Sequence, residues 1–269
     1  MAGRSMSNQI LFEYEDHWPT ELGAVSVADG AVTFRGHDLL NALEDLSWMD
    51  LLMYGITGRR FSAAQLELFQ GLWKISASYP EPRIWNNRVA ALGGSARSTP
   101  GLSLGAAIAV TDATIYGQRP MIAVFDFLKR AQATRDSGEP LEDFVAHELR
   151  TYRGIPGYGR PLRSTDERLA PAERLARRLG LWGGTHTLLA FEVADILKSY
   201  RMGMNVAAIA GGLCADQGLS PPEYYRLTLL AFTAGLIHCE FDATGHPEGA
   251  LFPLRCDRLQ YGGPQRRAW

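Results

Sequence analysis

The sequence is short of the features that assign a role by composition alone. Its three cysteines, Cys214, Cys239 and Cys256, are an odd number without a CxxC spacing, which indicates neither a disulfide framework nor a zinc site and fits a reducing cytoplasm. Charge of one sign is also lacking. A formal net charge of −2, with no Lys/Arg block longer than Arg266-Arg267, excludes an overall basic field for nucleic acid or an anionic membrane. Long apolar runs are absent as well: 227–237 is too short to span a bilayer, and 102–116 is short and carries Asp112. The N-terminus, MAGRSMSNQI, has no apolar signal-peptide core, so a soluble protein is expected. No repeat or low-complexity segment is evident.

What is present is ordinary globular material. With 46% hydrophobic and 21% charged residues, 269 residues can bury a sizeable core as one large domain or two modest ones. At 22–34, apolar and small residues alternate around Asp29-Gly30, a dipeptide that tolerates positive φ, which predicts a β-hairpin. Nearly everything after it has helical spacing. Ser62 and Gln65 fit a capping box before the stripe Leu66, Phe69, Leu72, Trp73 and Ile75. Further helical runs cover 81–92, 102–115, 120–135, 141–152, 171–181, 185–201, 206–216 and 221–240, with Pro171 and Pro221-Pro222 in first turns and Gly218 as a stop. Small residues dominate 102–115, which allows close helix approach either inside the fold or across a dimer seam.

The stretch PGYGRPLRSTDER, 156–168, reads as a substrate loop. Gly157 and Gly159 allow the backbone to approach a ligand, and Arg160, Arg163 and Arg168 suit carboxylates or phosphates. Together with AVTFRGHDLLNALEDLSWMDLLMYGITGRRF, GMNVAAIAGGLCADQGLSP and AFTAGLIHCEFD, it resembles in order the motifs of the citrate synthase family. The short length is closer to the compact citryl-CoA lyase-like members. The resemblance covers nearly all the chain from about Leu22. It implies a mainly α, two-domain helical fold with a small N-terminal hairpin. A large domain would comprise 1–117 and 214–269, and a small domain, 118–213, would close over a cleft in a homodimer. The implied ligands are a small-molecule carboxylate or keto acid and an acyl-CoA, with CoA thioester as a possible substrate and no covalently bound cofactor.

Enzymes of this family use a His and an Asp to enolise a thioester and a second His to polarise a ketone, because a weak carbon acid needs a base against its proton and donors at the developing oxyanion. Here DATIYGQRP sets Tyr116 at the first His and keeps the next residue as Gly117. GYGRP sets Arg160 at the second His. NVAAIAGG sets Ala207 at the Asp, and Ser78-Tyr79 stands for an earlier Asp-His pair that helps hold the keto acid. A phenol, pKa about 10, donates a hydrogen bond but is a poor base, and a guanidinium stabilises anions without shuttling protons. The ordinary enolisation route is therefore closed. Either Tyr116 and Arg160 stabilise an anion made without proton removal, or the cleft only binds and the chain is an inactive sensor or partner subunit.

The remaining site residues follow from the same resemblance, each beside a plainer reading. Tyr79 would line the substrate pocket, and Arg168 would clamp a carboxylate or else belong to a helix-entry charge cluster. Arg163 would add an anion contact or be solvated. Gly117 and Gly159 would let the backbone meet a bound thioester. His238 falls one place before the family's His on the last long helix, where a satisfied core histidine is the alternative. Arg255 or Arg258 in the tail would reach the partner's site. His186 has no titratable partner at i+4, and Cys214 is a thiol of the packed interior or a nucleophile. Adjacent Glu13, Glu15, Asp16 and His17 do not fall on one helical face, and no metal is expected. A specialised biosynthetic role fits the loss of the usual triad.

Overall fold

The computed structural model describes residues 8–77, 80–114, 117–159 and 166–268. They divide into two compact units, 1–62 and 63–269. Among the described residues the protein is mainly helical, with eleven α-helices and one small antiparallel sheet.

The first unit holds α1 (Asn8–Glu13), the strands β1 (Gly23–Ser26), β2 (Ala31–Phe34) and β3 (His37–Asp38), and α2 (Trp48–Thr57). The expected hairpin is β1–β2, registered with Val25 opposite Val32 and turned at Gly30, whose φ is 63°. The sheet gains a third strand that periodicity missed, because Arg35 and Gly36 both take positive φ and reverse the chain into β3. Phe34 meets the edge of Tyr54 on α2, and Arg35 Nη2 donates to Gly55 O at 2.8 Å, so the sheet is fastened to that helix. Ser47 caps α2 at its start, and Gly58, in the left-handed region, ends it.

The second unit contains α3 (Ala63–Ser76), α4 (Trp85–Ser95), α5 (Pro100–Thr111), α6 (Gln118–Asp136), α7 (Leu141–Tyr152), α8 (Leu169–Arg178), α9 (Thr185–Leu197), α10 (Val206–Asp216) and α11 (Pro221–Thr244). The 141–152 and 206–216 runs coincide with α7 and α10, while the others are offset at their ends. The capping box and first-turn prolines that open α11 are formed by Ser220, Glu223 and Pro221-Pro222. Helix α10 is the hub. It packs against α3, α6, α8 and α9, and Val206 through Ala215 are all buried. Helices α4, α5 and α11 form a second layer, in which Gly94 lets the backbones of α4 and α11 meet where a side chain would collide with Glu240 O. No helix among the described residues is long and apolar enough to cross a membrane.

Candidate active site

The site is built around the start of α10. Residues 157–159 run antiparallel to 203–205: Gly159 N–H donates to Gly203 O at 2.6 Å, Asn205 N–H donates to Gly157 O at 2.9 Å, and Tyr158 pairs with Met204. Asn205 then uses both ends of its amide. Oδ1 accepts from Ala207 N–H at 2.9 Å and caps α10, while Nδ2 donates to Gly159 O at 3.2 Å. The glycines here are dictated by space and by φ. Gly157 has φ of 85°, and a Cβ there would press on Val124 of α6 and Ala208 of α10; Gly159 has φ of 91°. Tyr158 is an anchor with no acid–base role, since its hydroxyl donates to Ala190 O at 2.8 Å and burial pushes its pKa far above the usual phenol value.

Asp166 closes the arrangement from beneath. Only 1% exposed, its carboxylate accepts from Val206 N–H at 2.9 Å, from Arg168 N–H at 3.1 Å, and from Arg168 Nε and Nη2 at 2.9 and 2.8 Å. Burial pushes this carboxyl upward, but hydrogen bonds and charge from Arg168 and the two backbone donors outweigh it, so its pKa is lowered. Asp166 is therefore a fixed anion at the positive end of α10, paired with Arg168. Ala207, one residue beyond, is buried and offers no titratable group.

At the start of α6, Gly117 is an N-cap without a side-chain cap. A Cβ at this position would meet Thr111 O and the backbone of Ala113 within 2.8 Å, so only glycine fits. Asn86 Nδ2 donates to Thr111 Oγ1 at 3.4 Å, and Thr111 in turn donates to Ala107 O. Gln118 Nε2 donates to Tyr225 O and to Thr228 Oγ1, tying this helix start to α11. Val124, which touches Gly157, lies seven residues along α6 from Gly117, about 10 Å of helix. Gly159 and Ala207 both bond to Asn205, and Gly157 lies against Val124 of α6, the helix that Gly117 caps.

Tyr79, Tyr116, Arg160 and Arg163 lie outside the described residues. His238 is exposed on α11, and Arg255 is exposed with its Nη2 on Asp257 at 2.7 Å. Cys214 is fully buried, and burial followed by the charge of Asp216 pushes its thiol far up, which leaves it without nucleophilic character. Sequence spacing missed the partner of His186. Asp216, at the far end of α10, accepts from His186 N–H and Nδ1 and from Thr187 N–H and Oγ1, closing the start of α9 across thirty residues. A search confined to i+4 could not find it.

No family model and no curated relative matches the chain. Solved structures do. Citryl-CoA lyase from Hydrogenobacter thermophilus superimposes with a TM-score of 0.80 at 18% identity, over 94% of this chain and 97% of that one. The chain has the citrate-synthase-like fold. Methanosaeta concilii ATP citrate lyase in complex with (3S)-citryl-CoA gives a TM-score of 0.74 at 16% identity, over 98% of this chain but only 45% of that longer one. Citrate synthase from Thermotoga maritima MSB8 gives 0.64 at 17% identity, over 84% and 60%. The near end-to-end overlap with the lyase agrees with the compact form expected from length, and within the citrate-synthase-like fold the start of α10 is where Ala207 stands.

Proposed function

We propose that the chain is a citrate-synthase-like enzyme that binds a carboxylate, keto acid or acyl-CoA and makes or breaks a carbon–carbon or acyl bond without a base at position 207. The observation that carries this reading is the state of the start of α10. Its framework joins Asn205 to Gly159 and to the helix, while hydrogen bonds from Arg168 and the Val206 N–H keep the Asp166 pKa low and Ala207 has no proton to exchange. A carbanion in such a site arises from bond cleavage and not from removal of a carbon-bound proton: decarboxylation of a carboxylate releases carbon dioxide and leaves the electron pair on carbon, and a retro-aldol step does the same once water takes the hydroxyl proton. Tyr116 would donate to the developing enolate oxygen and Arg160 would neutralise its charge, each well-aimed donor contributing about 3 kcal/mol. Tyr79, Arg163, Arg168, His238 and Arg255 are assigned to substrate binding, and Gly117 and Gly159 to close approach of a thioester. The division into a large domain (1–117, 214–269) and a closing small domain (118–213) is part of this proposal.

So is a homodimer. On α5 the exposed positions are Pro100, Gly101, Leu102, Gly105, Ala106, Ala109 and Val110, an apolar face with small residues four apart at 101, 105 and 109. Leu92 of α4 and Ile237 and Phe241 of α11 are exposed in the same layer. Ala106→Glu should convert a dimer to monomers in sedimentation analysis; a monomeric wild type would remove this part.

The test of function is a thermal-shift screen with CoA thioesters and di- and tricarboxylates, followed by mass spectrometry for turnover. Tyr116→Phe and Arg160→Ala should each lower turnover at least tenfold, and unchanged rates would remove both from the mechanism. A second reading, an inactive ligand-binding subunit, is favoured by the same Ala207 and sequestered Asp166. Tight binding with no turnover would select it.

A further inference from the structure

Two segments keep large apolar side chains in water. Among the described residues, twelve of the twenty-two large apolar side chains that are exposed lie at 10–27 and 252–261. In the first, Phe12 is 72% and Trp18 81% exposed; in the second, Leu254 is 68% and Tyr261 81%. Clustering of this kind marks a contact surface, whereas apolar residues scattered singly do not. Strand β1, which follows residues 10–22, is an edge strand with Val25 and Val27 exposed, and such edges are ordinarily covered. The charges of the two segments are opposite. Residues 10–22 hold Glu13, Glu15, Asp16 and Glu21 with no Lys or Arg, while 252–267 hold Arg255, Arg258, Arg266 and Arg267 against Asp257 alone. In a chain whose formal net charge is −2, these opposite excesses fall where the apolar side chains are exposed.

The basic segment leaves from a fixed point. At the ends of α4 and α11, Arg97 Nη1 donates to Gly94 O at 3.0 Å and Nη2 to His246 O at 2.7 Å, while Gly249 N–H donates to Ser95 O at 3.1 Å and Leu251 N–H to Ser95 Oγ at 3.4 Å. The chain is thus held as far as Leu251 and is exposed from Phe252 to Ala268. We infer that segment 252–267 of one copy lies across segment 10–22 of a second copy, and reciprocally, with its arginines on the acidic side chains and its apolar side chains on Phe12, Tyr14 and Trp18. Two-fold symmetry makes the same contact twice, which doubles the apolar area removed from water. The contact rests on the homodimer proposed above, and on neither the α5 face nor the reaction.

Photocrosslinking of the full chain tests the contact directly. With benzoylphenylalanine at position 261, and heavy-isotope-labelled chains exchanged with unlabelled ones, irradiation should join the tryptic peptide 259–266 of one label to peptide 5–35 of the other. Pairs of like label only, or attachment elsewhere, would overturn the inference. Charge reversal supplies a second measurement. Glu13→Arg with Glu15→Arg, and separately Arg258→Glu with Arg266→Glu, should each weaken self-association in sedimentation by about tenfold. The four changes together should restore it to within about threefold, because the ion pairs are re-formed with their signs exchanged. Losses that multiply instead would count against the contact. All four positions are exposed, so the variants keep the fold, as circular dichroism should show. A dimer that gives no hybrid pair removes this contact alone, whereas a monomeric wild type removes the homodimer with it.

Discussion

Helices α5 and α10 are written in nearly the same alphabet, PGLSLGAAIAVT against VAAIAGGLCAD, yet they meet opposite fates. Every residue of α10 from Val206 to Ala215 is buried, whereas α5 buries only Ser103, Ala107 and Thr111. Glycine shows the contrast atom by atom. A methyl added at Gly212 would lie 3.0 Å from His186 O and from Thr187 Cα, while one added at Gly105 would meet nothing within 4 Å. Small residues state that something comes close. They do not state whether the neighbour lies in the same chain or in another. The helix starts differ in the same sense: Asn205 and Asp166 secure α10, whereas Thr99 caps α5 without a side-chain hydrogen bond.

The sharpest way to break this comparison is at the starts of the two helices. Asp166→Ala removes the buried acceptor of Arg168 and the Val206 N–H and should cost about 3–5 kcal/mol in denaturant unfolding, whereas Thr99→Ala on α5 should stay within about 0.5 kcal/mol. Similar losses for both would mean that α10 is not the structural hub. In the helix bodies, Gly212→Ala should destabilise by about 1–3 kcal/mol through crowding. Gly105→Ala should stabilise an isolated subunit by up to about 1 kcal/mol through helix propensity while weakening self-association, as read by melting and sedimentation together.

Acid should act on both ends of α10. Asp166 and Asp216 sit at its two ends, and both carboxyls are lowered: burial opposes ionisation, but the charge and hydrogen bonds of Arg168 in one case, and the hydrogen bonds of His186 and Thr187 in the other, prevail. A depressed carboxyl contributes stability that is fully present above its unfolded pKa of about 3.9 and is lost as pH falls through the folded value. Unfolding monitored by circular dichroism should therefore hold steady down to about pH 4 and fall below it. Asp166→Asn should flatten that acid limb, and an unchanged limb would count against the assignment. The smallest effect belongs to Arg255→Ala, which exchanges an exposed local pair with Asp257 for water and should leave Tm within about 1 °C while any loss of activity reports a role at a site.

Much of the fold was legible because helices advertise themselves. The stripe Leu66 to Ile75 and the first-turn prolines of α11 are local signals, and α7 and α10 fall at their expected limits. Strand β3 was not, since it is two residues long and exists only because Arg35 and Gly36 turn the chain back on β2. Of the site, the glycines 157 and 159 and the bare Ala207 were readable. Missing were Asn205 as the link between two segments, Asp166 as the anion at the start of α10, and Asp216 as the partner of His186, because these bonds join residues thirty to forty-six apart in sequence with no periodic spacing to announce them.

By itself the sequence determined the helical class, the ordered series of motifs that matches a citrate-synthase-like fold, and the absence of a titratable side chain at position 207. Side-chain chemistry and local periodicity are properties of the chain and need no partner to be read. Tertiary structure alone decided that Arg168 pairs with Asp166, that Tyr158 and Cys214 are sealed away from proton exchange, and that one glycine-rich helix is a core while the other is a surface. The reason is that burial, pairing and pKa depend on what surrounds a group, and those surroundings come into being only when distant segments pack.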